Sequence, residues 1–317
     1  MSSSTKPFAI ILVGPTGVGK TAVSCELAKQ LPEAAEIISA DSRQVYKYMD
    51  IGTAKPSPQM RREIRHHFID LHDPDRVYSA GEFGEEARKK IDEILARRNW
   101  PLVVGGSGLY LRALLEGFFA PKVSDHEIRA QLKRRAETEG SAKLHAELKV
   151  IDPDTAARLH PNDGHRIVRA LEIYYASGKL PSEVRQQLNE PAEFVYRVIG
   201  LNMPRADLYA RINQRVVKML AEGLVDECKR LLEMGYSPAL NALNTVGYQE
   251  VFQFLGGEIS YNEMVELIKQ HSRHYAKRQM TWFRKMNGVE WLDIRPQDPP
   301  EKIAALLLLY LNISQAD

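Results

Sequence analysis

An α/β fold, a doubly wound parallel sheet with an all-helical insertion, follows from three observations. Apolar strands and amphipathic helices alternate at the start of the chain. A long middle stretch then carries helical segments and no strand. A further strand-like run follows that stretch and leads into a mostly helical end.

Each element has its own signature. FAIILV at residues 8–13 is a continuous apolar run, as expected for a parallel strand covered on both faces. A glycine-rich turn comes next, then a helix over about residues 21–30. EIISA at 36–40 reads as a second strand ending at Asp41, and PLVV at 101–104 as a third ending in Gly105 and Gly106. Residues 81–98 have helical periodicity. From 121 to 191 short helical segments are separated by breaks at Gly140, Asp152-Pro153, 161–164 and Gly178. Alternation resumes at 194–201, a strand returning to the sheet. Beyond Pro204 the chain reads as helical almost to Gly288, with a short strand near 289–294 and a final helix. The expected organisation is a core first part (1–120), a helical insertion (121–192) and a mostly helical second part of the core (193–317).

Composition narrows the function classes. With 44% apolar and 26% charged residues, the 317-residue chain can bury a sizeable core in water. Its net charge of +2 means that any nucleic-acid binding must come from a local patch. Two cysteines, Cys25 and Cys228, supply neither a disulfide framework nor a zinc site, which fits a reducing cytoplasm. The longest apolar run, 303–311, is too short to span a bilayer. A cytoplasmic monomer that does not enter membranes is expected.

GPTGVGKT matches G-x-x-x-x-G-K-[ST] and lies between a strand and a helix, as the motif requires. The sheet is therefore expected to be P-loop NTPase-like. Gly14, Pro15, Thr16, Gly17, Val18, Gly19, Lys20 and Thr21 are the candidate diphosphate-binding residues. The glycines let backbone N–H groups converge on phosphate oxygens, and the helix start adds a favourable dipole. Lys20 would neutralise phosphate charge, the Thr21 hydroxyl would ligate Mg²⁺, and Thr16 adds a hydroxyl to the same space.

Asp41, at the end of the second strand, either holds Mg²⁺ indirectly or accepts a proton, or else Asp41 or Ser42 merely caps a helix that follows. The third strand ends in glycines and carries no acid, which argues against a motor ATPase. The turn Gly105-Gly106-Ser107-Gly108 suggests close approach of backbone to a ligand, or a tight structural turn. Residues 267–288 contain six Lys/Arg and no Asp or Glu, which favours a phosphate-contacting face that includes Arg273 and Lys277. Tyr275, Gln279, Trp282 and Met286 share a stripe that reads as core rather than as a base-stacking platform. Arg166 and Arg169 lie one turn apart in the insertion as candidate RNA contacts. With twelve basic and eleven acidic residues over 122–190, only local geometry could make that insertion a binding arm.

These pieces together resemble the tRNA dimethylallyltransferases (isopentenyl-tRNA transferases) of bacterial type. GPTGVGKT, DSRQVY from Asp41, MDIGTAKP from Met49 and HHFID from His66 occur in family order. They are followed by GGSGLY from Gly105, RIVRALEI from Arg166, VGYQE from Val246 and YAKRQMTWFRK from Tyr275. The resemblance covers about residues 8–285. It implies transfer of a dimethylallyl group from dimethylallyl diphosphate to N6 of the adenosine 3′-adjacent to the anticodon, tRNA position 37, with Mg²⁺ as cofactor. Asp41 would then be the base, and Lys20, Thr16 and either Arg211 or Arg215 would stabilise the leaving diphosphate. Matching segments imply contacts to the anticodon stem-loop from Asp41, Ser42, Arg43, Gln44, Ser107 and Arg129. His165, Arg166, Ile167, Val168 and Arg169 match a further contact segment, as do Asn244, Thr245, Val246, Gly247, Tyr248 and Gln249. Arg273, Lys277 and Arg278 complete the set. The rivals are a P-loop kinase of a small metabolite, an adenylate dimethylallyltransferase acting on free nucleotide, and a non-catalytic RNA-binding protein.

Overall fold

A computed structural model describes residues 6–117, 125–187 and 190–313. Strand β1 (Ala9–Val13) feeds the glycine-rich turn and α1 (Lys20–Gln30). Then come β2 (Ala35–Ala40), α2 (Pro58–Glu63), the two-residue β3 (His66–His67) and α3 (Ala80–Ala96). β4 (Trp100–Gly105) and α4 (Gly108–Glu116) follow. Five helices succeed one another: α5 (His126–Thr138), α6 (Ser141–Ile151), α7 (Pro153–Ala156), α8 (Gly164–Ser177) and α9 (Pro181–Gln187). The chain returns through β5 (Tyr196–Asn202), α10 (Arg205–Ala221), α11 (Leu224–Glu233), α12 (Tyr248–Leu255) and α13 (Tyr261–Phe283). It finishes with β6 (Val289–Asp293) and α14 (Pro300–Leu311).

The six strands pair in parallel in the order β3-β2-β4-β1-β5-β6. The chain leaves β1 toward β2 on one side and returns through β5 on the other. The ends of β1, β2 and β4 therefore open on a topological switch point, where open α/β sheets bind ligands. Every residue of β1 and β4 is buried, which explains their uninterrupted apolar sequences. β3 carried no such pattern. It is two half-buried histidines paired with Ile37 and Ile38, too short and too polar to show a period.

The chain divides into two compact units, one comprising Met1–Ser79, Glu86–Leu111 and Glu193–Asp317, the other Ala80–Glu85 and Arg112–Ala192. In the first, α14 packs on α1 and contributes Ile303, Leu307 and Leu311 to a core shared with β1, β4 and β5. The second has its own core of Leu144, Leu148, Ile167 and Leu171. Its helix breaks have local causes. Gly140 (φ 86°) precedes α6 and Gly178 (φ 70°) ends α8, both in conformations that favour glycine. Asp152 and Asp163 cap α7 and α8 through Thr155 and Arg166 N–H. The boundary expected at 120/121 lies outside the described residues.

Candidate active site

The glycine-rich turn needs its glycines for backbone reasons. Gly17 (φ 83°) and Gly19 (φ 105°) lie where other residues are strained. A Cβ on Gly17 would also stand 2.8 Å from Ile212 Cγ1, so the turn lies directly on α10. Helix α1 begins at Lys20 with no side-chain cap and no acid in its first turn, leaving its N-terminal dipole uncompensated. Lys20 Nζ donates to Gly14 O (2.8 Å) and Pro15 O (3.0 Å). Desolvation lowers its pKa to about 8; the Asp41 carboxylate opposes that shift and Arg215 adds to it.

Two guanidiniums complete the cationic wall. Arg211 and Arg215 are one turn apart on α10, and Arg211 lies 3.8 Å from where a Gly19 Cβ would be. Burial disfavours the charge on Arg215, and Asp41 partly offsets it. Neither arginine makes a hydrogen bond or ion pair to another group among the described residues. Three cations thus gather at one turn without a matching number of acids, a local excess of positive charge.

No helix begins directly after β2, so Asp41 caps a turn instead. Its Oδ1 accepts the N–H of Arg43 (2.9 Å) and of Gln44 (3.4 Å), closing the turn after β2. The residue also lines a cavity of about 340 Å³ together with Thr16, Ser42, Arg43 and Arg215. Tyr275, Arg278 and Asn244 to Gly247 line the same space, and Ile212, Val216, Met219, Leu224 and Ile268 give it an apolar wall. Burial and the nearby Asp41 push the Tyr275 hydroxyl up to about 12, so it stays a neutral donor at physiological pH.

A family model described as IPP transferase matches residues 44–286. The chain is 46% identical over 289 residues to the tRNA dimethylallyltransferase of Dictyoglomus turgidum, covering 91% of this chain and 87% of that one. It belongs to the IPP transferase family. The full-length tRNA isopentenylpyrophosphate transferase of Bacillus halodurans superposes with a TM-score of 0.71 at 38% identity, covering 97% of this chain and 96% of the other. A eukaryotic dimethylallyltransferase acting on tRNA gives 0.80 at 29% identity, covering 98% and 81%.

Within this IPP transferase, the expected tRNA residues fall into distinct groups. Asp41, Ser42, Arg43, Asn244, Thr245, Val246, Gly247 and Arg278 meet at the cavity. Ser107 stands behind Ser42, its Oγ accepting the Ser42 N–H at 3.0 Å. Arg273 bonds Asn213 on α10 (2.7 Å), and Lys277 is exposed. In the helical unit His165 and Arg166 are exposed, while Arg169 (2.9 Å) and Arg129 (3.7 Å) turn to the fully buried Glu172.

Other side chains are committed to the protein instead. Ile167 and Val168 are buried in the helical core, so only their backbone could meet RNA. Gln44 is buried, bonding Ser39 Oγ, Thr53 O and Ala54 O. Gln249 bonds Pro238 O and Leu243 O. Tyr248 donates to Glu227 (2.6 Å), which also accepts the N–H groups of Asp50, Ile51 and Gly52. That carboxylate holds the loop carrying Gly52 and Thr53 to the cavity, a role sequence reading missed. Nor do the turn glycines make room for a ligand. A Cβ on Gly105 would strike Ala40 backbone, one on Gly106 the Gln279 amide, and one on Gly108 the Trp282 indole, all at less than 3 Å.

Proposed function

We propose that the enzyme transfers a dimethylallyl group from its diphosphate to N6 of the adenosine 3′-adjacent to the anticodon, position 37 of tRNA, releasing diphosphate. One observation carries this reading: Lys20, Arg211 and Arg215 converge on the glycine-rich turn beside a cavity that combines Asp41 with an apolar wall. The cations suit a diphosphate, the apolar wall a short branched hydrocarbon, and the carboxylate an amine that must lose a proton. A kinase of a small metabolite has no use for the apolar wall. The activities of the relatives support the same assignment.

In the reaction, the N6 lone pair attacks C1 of the allyl group and the C1–O bond breaks, its electron pair leaving on diphosphate. Lys20, Arg211, Arg215 and the Thr16 hydroxyl stabilise that charge as it develops. N6 becomes acidic as the C–N bond forms, and Asp41 takes its proton. The adenine must first leave the stacked anticodon loop. Among the described residues no group of three or more His, Cys, Asp or Glu could hold a metal. Mg²⁺ keeps several waters and takes its remaining ligands from one or two protein groups and substrate phosphates. Thr21 would hold it, and bound Mg²⁺ supplies further neutralisation of the diphosphate. Exposed Arg166 on the helical unit would meet the RNA backbone.

The test is transfer of radiolabelled dimethylallyl diphosphate to tRNA by purified protein with Mg²⁺. Label in the tRNA fraction is expected. Label on free AMP but not on tRNA, or ATP hydrolysis with the prenyl donor ignored, would overturn the proposal.

A further inference from the structure

We infer that Gln279 is a positioning residue for group transfer, acting through the backbone of Thr16. Gln279 is buried on α13, and its side-chain amide bridges two turns at the carboxyl end of the sheet. Oε1 accepts the Thr16 N–H at 2.8 Å, and Nε2 donates to Gly106 O at 2.9 Å. One partner only donates and the other only accepts, so a single amide orientation satisfies both.

The bridge changes what the glycine-rich turn can do. Backbone N–H groups of such turns point at the bound anion. Here the Thr16 N–H is bonded to Gln279 within the protein, and Thr16 lines the same cavity as Asp41. Holding the backbone of Thr16 fixes where its hydroxyl stands relative to the reacting centre. Gly106 is part of the device, because a Cβ there would fall within 3 Å of Nε2 and expel the amide. The reason for a glycine directly after β4 is therefore access for Gln279.

This inference rests on the proposed transfer reaction, and its test separates the two. Gln279→Met keeps length and volume and removes both hydrogen bonds of the bridge, along with the amide's bond to the Tyr275 hydroxyl, for which Tyr275→Phe is the control. It should lower kcat roughly 10- to 100-fold, the effect of misplacing a catalytic group by about an ångström, with KM for tRNA within about twofold. Thr16→Ala should lower kcat similarly, and the double variant should lose nothing further, because Gln279 acts only through the group already removed. Gly106→Ala displaces the amide from the opposite side and should show the same non-additivity with Thr16→Ala; it decides the matter if the methionine variant does not fold. Additive losses, an unchanged kcat, or a rise in tRNA KM alone would assign Gln279 a merely structural role and overturn the inference. If wild-type protein transfers no label, the proposed activity itself fails and the inference fails with it.

Discussion

Lys20 offers the most direct probe of the anion site, because its charge depends on whether the site is filled. In the free enzyme desolvation holds its pKa at about 8, against an ordinary 10.5. A bound diphosphate places negative charge against the same ammonium and returns the pKa toward its ordinary value. With a free pKa of about 8, roughly nine-tenths of the lysines are charged at pH 7 and roughly one-tenth at pH 9. Apparent affinity for inorganic diphosphate should therefore weaken about tenfold between pH 7 and pH 9, with uptake of close to one proton per binding event at the upper end. Diphosphate also ionises in this range, so the reference is Lys20→Arg, whose guanidinium stays charged throughout. Titration calorimetry in two buffers of different ionisation enthalpy reads affinity and proton uptake together. Wild type should lose about tenfold more affinity than Lys20→Arg. Parallel pH profiles in the two proteins would refute the reasoning. The same shift has a stability consequence. Between about pH 8 and 10.5 the unfolded lysine binds a proton that the folded one has released, so the free fold gains stability as pH rises through that window.

Three further outcomes follow from the structure. Asp41→Ala should lower kcat by about 10²- to 10⁴-fold, the range for loss of a general base, while diphosphate affinity survives; single-turnover transfer at an unchanged rate would remove Asp41 from the chemistry. Arg166→Ala with Arg169→Ala should weaken tRNA binding and flatten its salt dependence by about one unit of slope for each phosphate no longer neutralised. Arg166 alone should account for most of this, since its exposed pair with Asp163 yields to a phosphate more readily than the pair of Arg169 with the buried Glu172, and an unchanged slope would make both arginines structural. Glu227→Gln replaces one carboxylate oxygen by an NH₂, which then faces either the Asp50 and Ile51 N–H groups or the Gly52 N–H and the Tyr248 hydroxyl, and should cost about 1–3 kcal/mol of stability. A urea midpoint within error of wild type would show the Asp50–Gly52 loop to be held by other interactions.

What the sequence revealed depended on how local each cause is. β1 and β4 were legible because burial on both faces leaves no polar residue in the run, and the helical unit was legible because glycine and aspartate caps act within three or four residues. The glycine-rich turn was legible for the same reason, its geometry being encoded in eight consecutive residues. Glu227 and Gln279 were not. Their backbone partners lie 175 to 177 and 173 to 263 positions away along the chain, beyond the reach of any periodicity.

The α13 stripe shows where that limit falls. A spacing of three and four residues places Tyr275, Gln279 and Trp282 on one face, and the face reads as core. In the fold each of the three meets something different: Tyr275 the cavity, Gln279 the Thr16 backbone, and Trp282 the space left by Gly108. The spacing does put the three on one face, but that face is not uniformly covered: Gln279 is buried, Tyr275 half-buried and Trp282 exposed, and Met286 lies beyond the end of α13 at Phe283. One detail could have divided it. A neutral amide between two aromatic residues on a buried face must find a donor and an acceptor there, because burying it unpaired costs more than an apolar side chain would. Gln279 in that stripe was thus a sign of a polar partner across the interface. The glycine-rich turn, whose backbone N–H groups lie outside any helix or strand ladder, was the part of the sequence best able to supply one.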